Sequence, residues 1–338
     1  MNIALIGLGM VSGTHVAAIQ ASEQGLNLAG VLGRNPEKTA DFAKRNDTRA
    51  FSSVEEIAND SNVDFAIIAT PPDQRAELVR VLSTASKPIL MEKPIERTLD
   101  AATAIVEQCE VSGVPLGIFF QHRARAASQA LKSAIEQGEL GTIATLEIRV
   151  PWWRDQSYYN EPGRGTYARD GGGVMISQAI HTLDLTMWLL GPISDIQAVM
   201  RKTPLHDLEA EDWAGAVFEM DSGAVGTLMA TTAEYPGAAE AITIQGTRAK
   251  AHLESGVLTL TAFNGQKSTV GEMSATGGGA DPMAFTHDWH QAVIEDFAEA
   301  IAGGTRPMAT GRSALLTHAV IDAMQIANRT GQKTRVIS

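Results

Sequence analysis

The sequence predicts two folds in series: a parallel α/β sheet over residues 1–121, then an α+β part over residues 122–338. The second part is expected to hold a mostly antiparallel, open sheet with helices on one face. Three observations carry this. Short apolar runs alternate with amphipathic stretches in the first part, as parallel strands and crossover helices do. A glycine-rich turn follows the first apolar run. Beyond Gln121 the chain changes to longer segments that alternate polar and apolar residues, the pattern of strands with one solvated face.

In chain order, the first-part strands are expected at Asn2–Ile6, Leu26–Leu32, Phe65–Ala69, Pro88–Met91 and Pro115–Phe119. Helical patterns fall between them, at Pro36–Arg45, Gln74–Ala85 and Leu99–Gly113. Gly33-Arg34-Asn35-Pro36 reads as a turn with a proline at a helix start. A helix at Ala126–Gly138 opens the second part. Strands are then expected at Thr142–Val150, Ile193–Arg201, Ala214–Met220, Gly223–Thr232, Glu240–Gly246, Lys250–Glu254 and Val257–Ala262. One helix, Val174–Leu190, interrupts them, and His287–Ala302 and Gly311–Thr330 close the chain. The Gly/Ser/Thr-rich stretch Gln266–Ala280 reads as a mobile loop. An open sheet with helices on one side needs its other face covered, which favours a homodimer or homotetramer through that face.

Composition narrows the function. With 338 residues, 44% of them apolar and 20% charged, the chain suits two domains with substantial cores. A net charge of −12 argues against nucleic-acid or anionic-membrane partners, because phosphate binding needs clustered Lys and Arg. No apolar run approaches the roughly 20 residues that span a bilayer. Met1-Asn2 leads directly into a strand, with no basic and apolar leader before it. The single cysteine, Cys109, leaves no disulfide within the chain and reads as a small core residue. Cytoplasm is the default expectation for its location.

Gly7-Leu8-Gly9-Met10-Val11-Ser12 carries two of the three glycines of the G-x-G-x-x-G fingerprint, between a strand and a helix. The first glycine permits the tight turn and the second lets backbone approach a pyrophosphate. Ser12 replaces the third glycine, whose role is close helix–strand packing. With further βα units behind it, this turn marks a Rossmann dinucleotide site. After the second strand an NAD site usually offers Asp or Glu to the ribose, whereas an arginine accommodates a 2′-phosphate. Here the residue is Arg34, with no acid until Glu37. That leans towards NADP, although an arginine here can also stack on adenine in an NAD site.

Two further motifs point to hydride transfer. "PILMEKPI" (Pro88–Ile95) is an apolar strand ending in Glu92-Lys93-Pro94, and "DGGGVMISQAIHTLD" (Asp170–Asp184) places His181 after a triple glycine. Oxidising a secondary alcohol requires proton removal from oxygen while hydride leaves carbon. A histidine suits the proton and a lysine ammonium stabilises negative charge on oxygen. On a regular helix Ser177 and His181, at i and i+4, share one face. His287 and His290 flank Trp289, but no third ligand at suitable spacing accompanies them, so no metal site is expected.

The turn at Gly7–Ser12, "IATPP" (Ile68–Pro72), "MEKPI", "QHR" (Gln121–Arg123), "GGGVMISQAIHTLDL" and the closing "DFAEAIAGGTRP" (Asp296–Pro307) occur in this order. In this the chain resembles the glucose–fructose oxidoreductase/inositol dehydrogenase (Gfo/Idh/MocA) family over essentially its whole length. The resemblance implies that Lys93 contacts the reacting hydroxyl, that His181 exchanges its proton and that Pro94 follows a cis peptide bond. It implies a cofactor site of Gly7, Gly9, Met10, Val11, Arg34, Thr70, Pro71, Glu92, Lys93 and Gln121. It also sets the substrate loop in "PWWRDQSYYNEPGRGTYARDGGG" (Pro151–Gly173), where aromatic faces, arginines and tyrosine hydroxyls can hold a sugar. Arg154, Tyr158, Tyr159 and Arg164 are the expected contacts, backed by Trp153 and joined by Gln178, His181 and Lys93.

Two positions depart from the family pattern. Ser177 stands where an acidic residue usually orients the histidine, and Arg75 where many relatives have histidine. The expected activity is NAD(P)-dependent oxidation or reduction at a secondary alcohol or ketone of a sugar or polyol. An NAD-dependent redox glycosidase of the same superfamily is an alternative, and so is a non-catalytic cofactor-sensing regulator.

Overall fold

The computed structural model describes residues 1–273 and 286–337. The chain divides into two compact units, the first comprising Met1–Gln121 with Thr286–Leu315 and the second His122–Phe285 with Leu316–Ser338.

In the first unit, β1 (Asn2–Ile6), α1 (Ser12–Ala21), β2 (Asn27–Leu32), α2 (Pro36–Arg45), β3 (Arg49–Ala50) and α3 (Val54–Asn59) are followed by four more elements and a final strand. These are β4 (Phe65–Ile68), α4 (Arg75–Thr84), β5 (Ile89–Met91), α5 (Leu99–Val111) and β6 (Leu116–Ile118). The strands form one parallel sheet in the order β3-β2-β1-β4-β5-β6. Ile3, Leu5, Phe65, Ile67 and Ile89 are fully buried, as expected of strands covered on both faces. Strand order reverses between β1 and β4, and ligands of such sheets bind at the carboxyl ends beside that switch. The Gly7 turn and Thr70 lie there.

The expected second domain, 122–338, is interrupted. Thr286–Leu315 belongs to the first unit because its helix, Asp288–Gly303, packs along α1. Phe297 of that helix meets Phe65 edge-on at 5.2 Å, and Ser22 Oγ donates to Glu295 at 2.7 Å. A Cβ at Gly117 would approach Phe297 to 2.7 Å, so β6 needs glycine there. These contacts are far apart in sequence, and no local pattern announces them.

The second unit opens with α6 (Ala126–Glu136), β7 (Ile143–Pro151) and the short α7 (Gln156–Tyr159). A helical segment follows, a π-helical turn over Met175–Ala179 continued by α8 (Ile180–Leu190). Next come β8 (Ile193–Arg201), β9 (Trp213–Met220), β10 (Val225–Thr231), β11 (Ala241–Gly246), β12 (Ala249–Glu254), β13 (Val257–Ala262) and β14 (Lys267–Val270). After α9, the Asp288–Gly303 helix of the first unit, come α10 (Gly311–Thr330) and β15 (Thr334–Arg335). The nine strands form an open sheet in the order β14-β13-β12-β11-β7-β10-β9-β8-β15, in which only β7 and β10 pair in parallel. On β7, Leu146, Ile148 and Val150 are buried while Thr145, Glu147 and Arg149 face outward, which is the alternation read from the sequence.

Part of the segment expected as a loop at Gln266–Ala280 is strand: β14 pairs with β13. Residues 274–280 lie outside the described residues. Neither unit has, among its described residues, a helix long and apolar enough to cross a membrane.

Candidate active site

The candidate cofactor residues lie in the first unit. Gly7 sits at φ +105°, and a Cβ there would come within 2.6 Å of the Ala69 carbonyl carbon, so β1 can turn against the end of β4 only as glycine. At Gly9 a Cβ would meet nothing within 4 Å, which leaves exposed backbone ahead of α1. Helices α2, α3 and α5 are capped by the side chains of Asn35, Ser53 and Thr98, but α1 has no side-chain cap and no acidic residue in its first turn. An uncapped helix start with free N–H groups favours an anion. Ser12, in place of the third glycine, is buried and donates from Oγ to Gly9 O at 2.7 Å, fastening the turn to the helix. Met10 is exposed beside it, and Val11 is half-buried at the helix start.

Arg34 is exposed and makes no ion pair or hydrogen bond among the described residues, while Asn35 next to it accepts from Lys38 N at 3.0 Å. Thr70 Oγ1 and Gln121 Oε1 are buried without a hydrogen-bond partner among the described residues, the condition of polar atoms left for a ligand. Pro71 is exposed beside Thr70. The residues therefore fit a dinucleotide.

Lys93 is half-buried, and the Lys93–Pro94 peptide bond is cis. Glu92 turns its carboxylate inward: Oε1 lies 3.0 Å from His15 Nε2 and 3.7 Å from His290 Nε2. Burial raises the Glu92 carboxyl, yet the hydrogen bond with His15, and then the charges of His15 and Lys93, outweigh it and hold it at about 2. Glu92 is thus an ionised anchor behind Lys93, with its carboxylate committed to the His15 cluster. His290 is held down at about 3, first by burial and then by His15. The His15 and Phe119 rings, 4.6 Å apart, complete this cluster. No group of three potential metal ligands occurs among the described residues.

His181 lies in the second unit. Gly171 and Gly172 have φ of +84° and +152°, and a Cβ on Gly173 would fall 1.7 Å from Glu211 O. The glycines let Glu211 close over the start of the helical segment. Its carboxylate accepts from Gly173 N and Met175 N, both at 3.1 Å, and its carbonyl accepts from Val174 N at 2.9 Å. The expected regular helix is replaced over Met175–Ala179 by π geometry, so Ser177 and His181 are not in the plain α-helical i, i+4 relation. His181 is buried and stacks on His122, with ring centroids 4.8 Å apart and planes 24° apart. His122 Nε2 in turn lies 4.0 Å from Glu240, which accepts from Arg125 at 2.6 Å. Arg123 grips Asp184 with two hydrogen bonds of 2.8 and 2.6 Å, tying the Gln121–Ala124 turn to α8 one turn beyond His181.

Of the expected substrate residues, three gather around the ring of a fourth, Tyr158. Gln178 Nε2 donates to Tyr158 Oη at 3.2 Å, and the guanidinium groups of Arg154 and Arg164 lie 5.6 and 4.2 Å from the Tyr158 ring centre. Arg164 also pairs with Glu161. Tyr159 differs from expectation. It is buried, its hydroxyl is 2.6 Å from Thr232 Oγ1, and burial pushes its pKa up, so it packs the interior. Trp153 packs on His206 at 5.7 Å and Tyr235 at 5.4 Å. His206 itself bridges Asp212 and Arg154 O, each at 2.8 Å, and so fixes the strip's backbone.

His122, Glu211 and His206 were not singled out as functional residues from the sequence. His122 sits inside the "QHR" motif, which offered a signal. Glu211 and His206 lie in a segment without periodicity, and only the tertiary fold reveals them.

A Rossmann unit with a phosphate-ready turn, joined in one chain to an open-sheet unit presenting a buried histidine, defines a dinucleotide-dependent oxidoreductase. Residues 1–120 match the oxidoreductase family with an NAD-binding Rossmann fold, and residues 128–252 match the GFO/IDH/MocA C-terminal domain. The chain belongs to the Gfo/Idh/MocA oxidoreductase family, and it is an enzyme of the class that acts on CH–OH groups. It is 24% identical to D-apiose dehydrogenase of Rhizobium rhizogenes over 95% of this chain and 93% of that protein. It is also 24% identical to the NAD-dependent scyllo-inositol 2-dehydrogenase of Bacillus subtilis, over 92% and 89% of the two chains. The WlbA dehydrogenase of Bordetella pertussis, solved with NADH and UDP-GlcNAcA, superposes with a TM-score of 0.86 at 26% identity, covering 100% of this chain and 98% of that one.

Proposed function

We propose that this protein is a cytoplasmic NAD(P)-dependent dehydrogenase that oxidises a secondary alcohol of a sugar or polyol, or reduces the corresponding ketone. The observation that carries this reading is the cis-Pro turn that presents Lys93 with ionised Glu92 buried behind it, on the unit that also bears the phosphate-ready Gly7 turn. A bound nicotinamide supplies the hydride acceptor. Lys93 donates to the reacting oxygen and stabilises negative charge on it as the C–H bond breaks. His181 takes the hydroxyl proton, or returns it in the reductive direction. With Ser177 offering no carboxylate, His181 is oriented by stacking on His122. Arg154, Tyr158, Arg164 and Gln178 hold the sugar; Tyr159 supports them from the interior.

Arg34, exposed and without an ion pair among the described residues, favours NADP through the cofactor's 2′-phosphate. The outer face of the open sheet bears exposed Val199, Val217 and Val225, which fits burial against a second copy in a homodimer or homotetramer.

The test is a panel assay of D-apiose, scyllo-inositol, myo-inositol, levoglucosan and a UDP-sugar acid with NAD and NADP, followed by cofactor absorbance. Turnover of at least one is expected, and Lys93→Met should lower it on the order of 10²–10⁴-fold while cofactor still binds. Turnover of Lys93→Met within a few-fold of wild type would remove Lys93 from the mechanism.

A further inference from the structure

Arg75 is almost wholly buried, with 2% of its surface exposed, at the start of α4. A cation so placed needs its donors satisfied, and among the described residues its hydrogen bonds all go to backbone carbonyls. Nε and one terminal nitrogen donate to Thr70 O at 3.0 and 2.6 Å. The other terminal nitrogen donates to both Glu92 O and Pro94 O. One guanidinium thus grips the carbonyls on either side of Lys93 and ties them to the end of β4. Glu92 lies between, with its backbone N bonded to Ile68 O at 2.9 Å and its carboxylate to the His15 cluster. The peptide carbonyls that flank Lys93 are therefore held by one side chain, in a fork that a histidine or lysine cannot reproduce, since neither offers several donors in a fixed plane.

We propose that Arg75 is a positioning residue for Lys93: it fixes the Glu92–Pro94 turn so that the ammonium is held on the reacting oxygen. This rests on the catalytic role given to Lys93 above. Arg75 is buried, and at saturating cofactor its effect on kcat is expected to pass through the lysine. A loosened turn misplaces the ammonium, and a misplacement of about 1 Å costs on the order of 10²-fold in rate.

The experiment compares wild type, Arg75→His, Lys93→Met and the double variant at saturating cofactor, with the panel sugar that wild type turns over. Arg75→His should lower kcat on the order of 10²-fold. The double variant should be no slower than Lys93→Met alone, because residues that act as a unit are not additive. Losses that multiply, or a kcat unchanged by Arg75→His, would overturn the proposal. Wild-type turnover in Lys93→Met would overturn the lysine's role and this one together. Loss in Lys93→Met without loss in Arg75→His would overturn this one alone.

A second readout needs no substrate. The lysines are ¹³C-methylated and the Lys93 signal is assigned by its absence in Lys93→Met. It should stand apart in wild type and move into the band of exposed lysines in Arg75→His; an unmoved signal overturns the proposal. If Arg75→His does not fold, Arg75→Lys, which keeps the cation and loses the fork, takes its place in both measurements with the same expected outcomes.

Discussion

Acid should unfold this protein in two limbs, and the buried cluster behind Lys93 sets both. His290 is lowered from 6.5 to about 3, so it is neutral in the fold and would be charged in the unfolded chain at mildly acid pH. Its stabilisation is fully present above pH 6.5 and is lost as pH falls from 6.5 towards 3. The full shift corresponds to about 5 kcal/mol. Glu92 is lowered from 4.5 to about 2, so its stabilisation is complete above pH 4.5 and is lost as pH falls from 4.5 towards 2. That shift corresponds to about 3 kcal/mol. The perturbation is His290→Phe for the upper limb and Glu92→Gln for the lower. Unfolding free energies from urea titrations at closely spaced pH values give the slopes. His290→Phe should flatten the fall between pH 6.5 and 4.5, and Glu92→Gln should flatten it between 4.5 and 2. Slopes that superimpose on wild type in both windows would refute the assignment of buried, shifted groups at this cluster.

Three other outcomes are expected. Arg34→Asp should weaken NADP far more than NAD in binding titrations, since a carboxylate repels the 2′-phosphate; equal loss for both would show that Arg34 does not reach the ribose. His181→Asn should flatten the near-neutral limb of the kcat/KM profile for oxidation and keep the fold, because asparagine cannot accept the proton. If the limb persists, the base is another group. Gly173→Ala puts a methyl 1.7 Å from Glu211 O and must displace the cap on the His181 helix. A loss of at least about 3 kcal/mol in stability is expected, and a melting temperature equal to wild type would contradict the observed packing.

The local signals were legible where one physical rule decided them. Val257–Ala262, Ile193–Arg201, Pro36–Arg45 and Gly311–Thr330 fall where alternation, a proline start or helical periodicity places them. Short β3 and β14 were missed because two or four residues carry little pattern, and β14 has four exposed residues. The π-helical turn was missed because it depends on Glu211, distant in sequence, entering the space that Gly173 leaves. The same holds for the site. Gly7, Lys93 and His181 stand in motifs, and the tyrosine–arginine strip announces itself by composition. Tyr159 reads like its neighbour Tyr158, and only burial on Thr232 separates the two. Arg75 looked like a mere departure until its three carbonyl partners showed what the longer side chain does.

The central claim is hydride transfer from a carbinol carbon of a sugar or polyol to the cofactor, assisted by Lys93 and His181. Its most direct test follows the atom. The panel substrate, deuterated at its carbinol carbons, is incubated with oxidised cofactor and the wild-type protein, and the reduced cofactor is isolated and read by NMR. The account predicts deuterium at nicotinamide C4 with one ketone formed per cofactor reduced, and label appearing on the order of 10²–10⁴-fold more slowly with Lys93→Met. Reduced cofactor without deuterium, or sugar consumed with no net cofactor change, would contradict it.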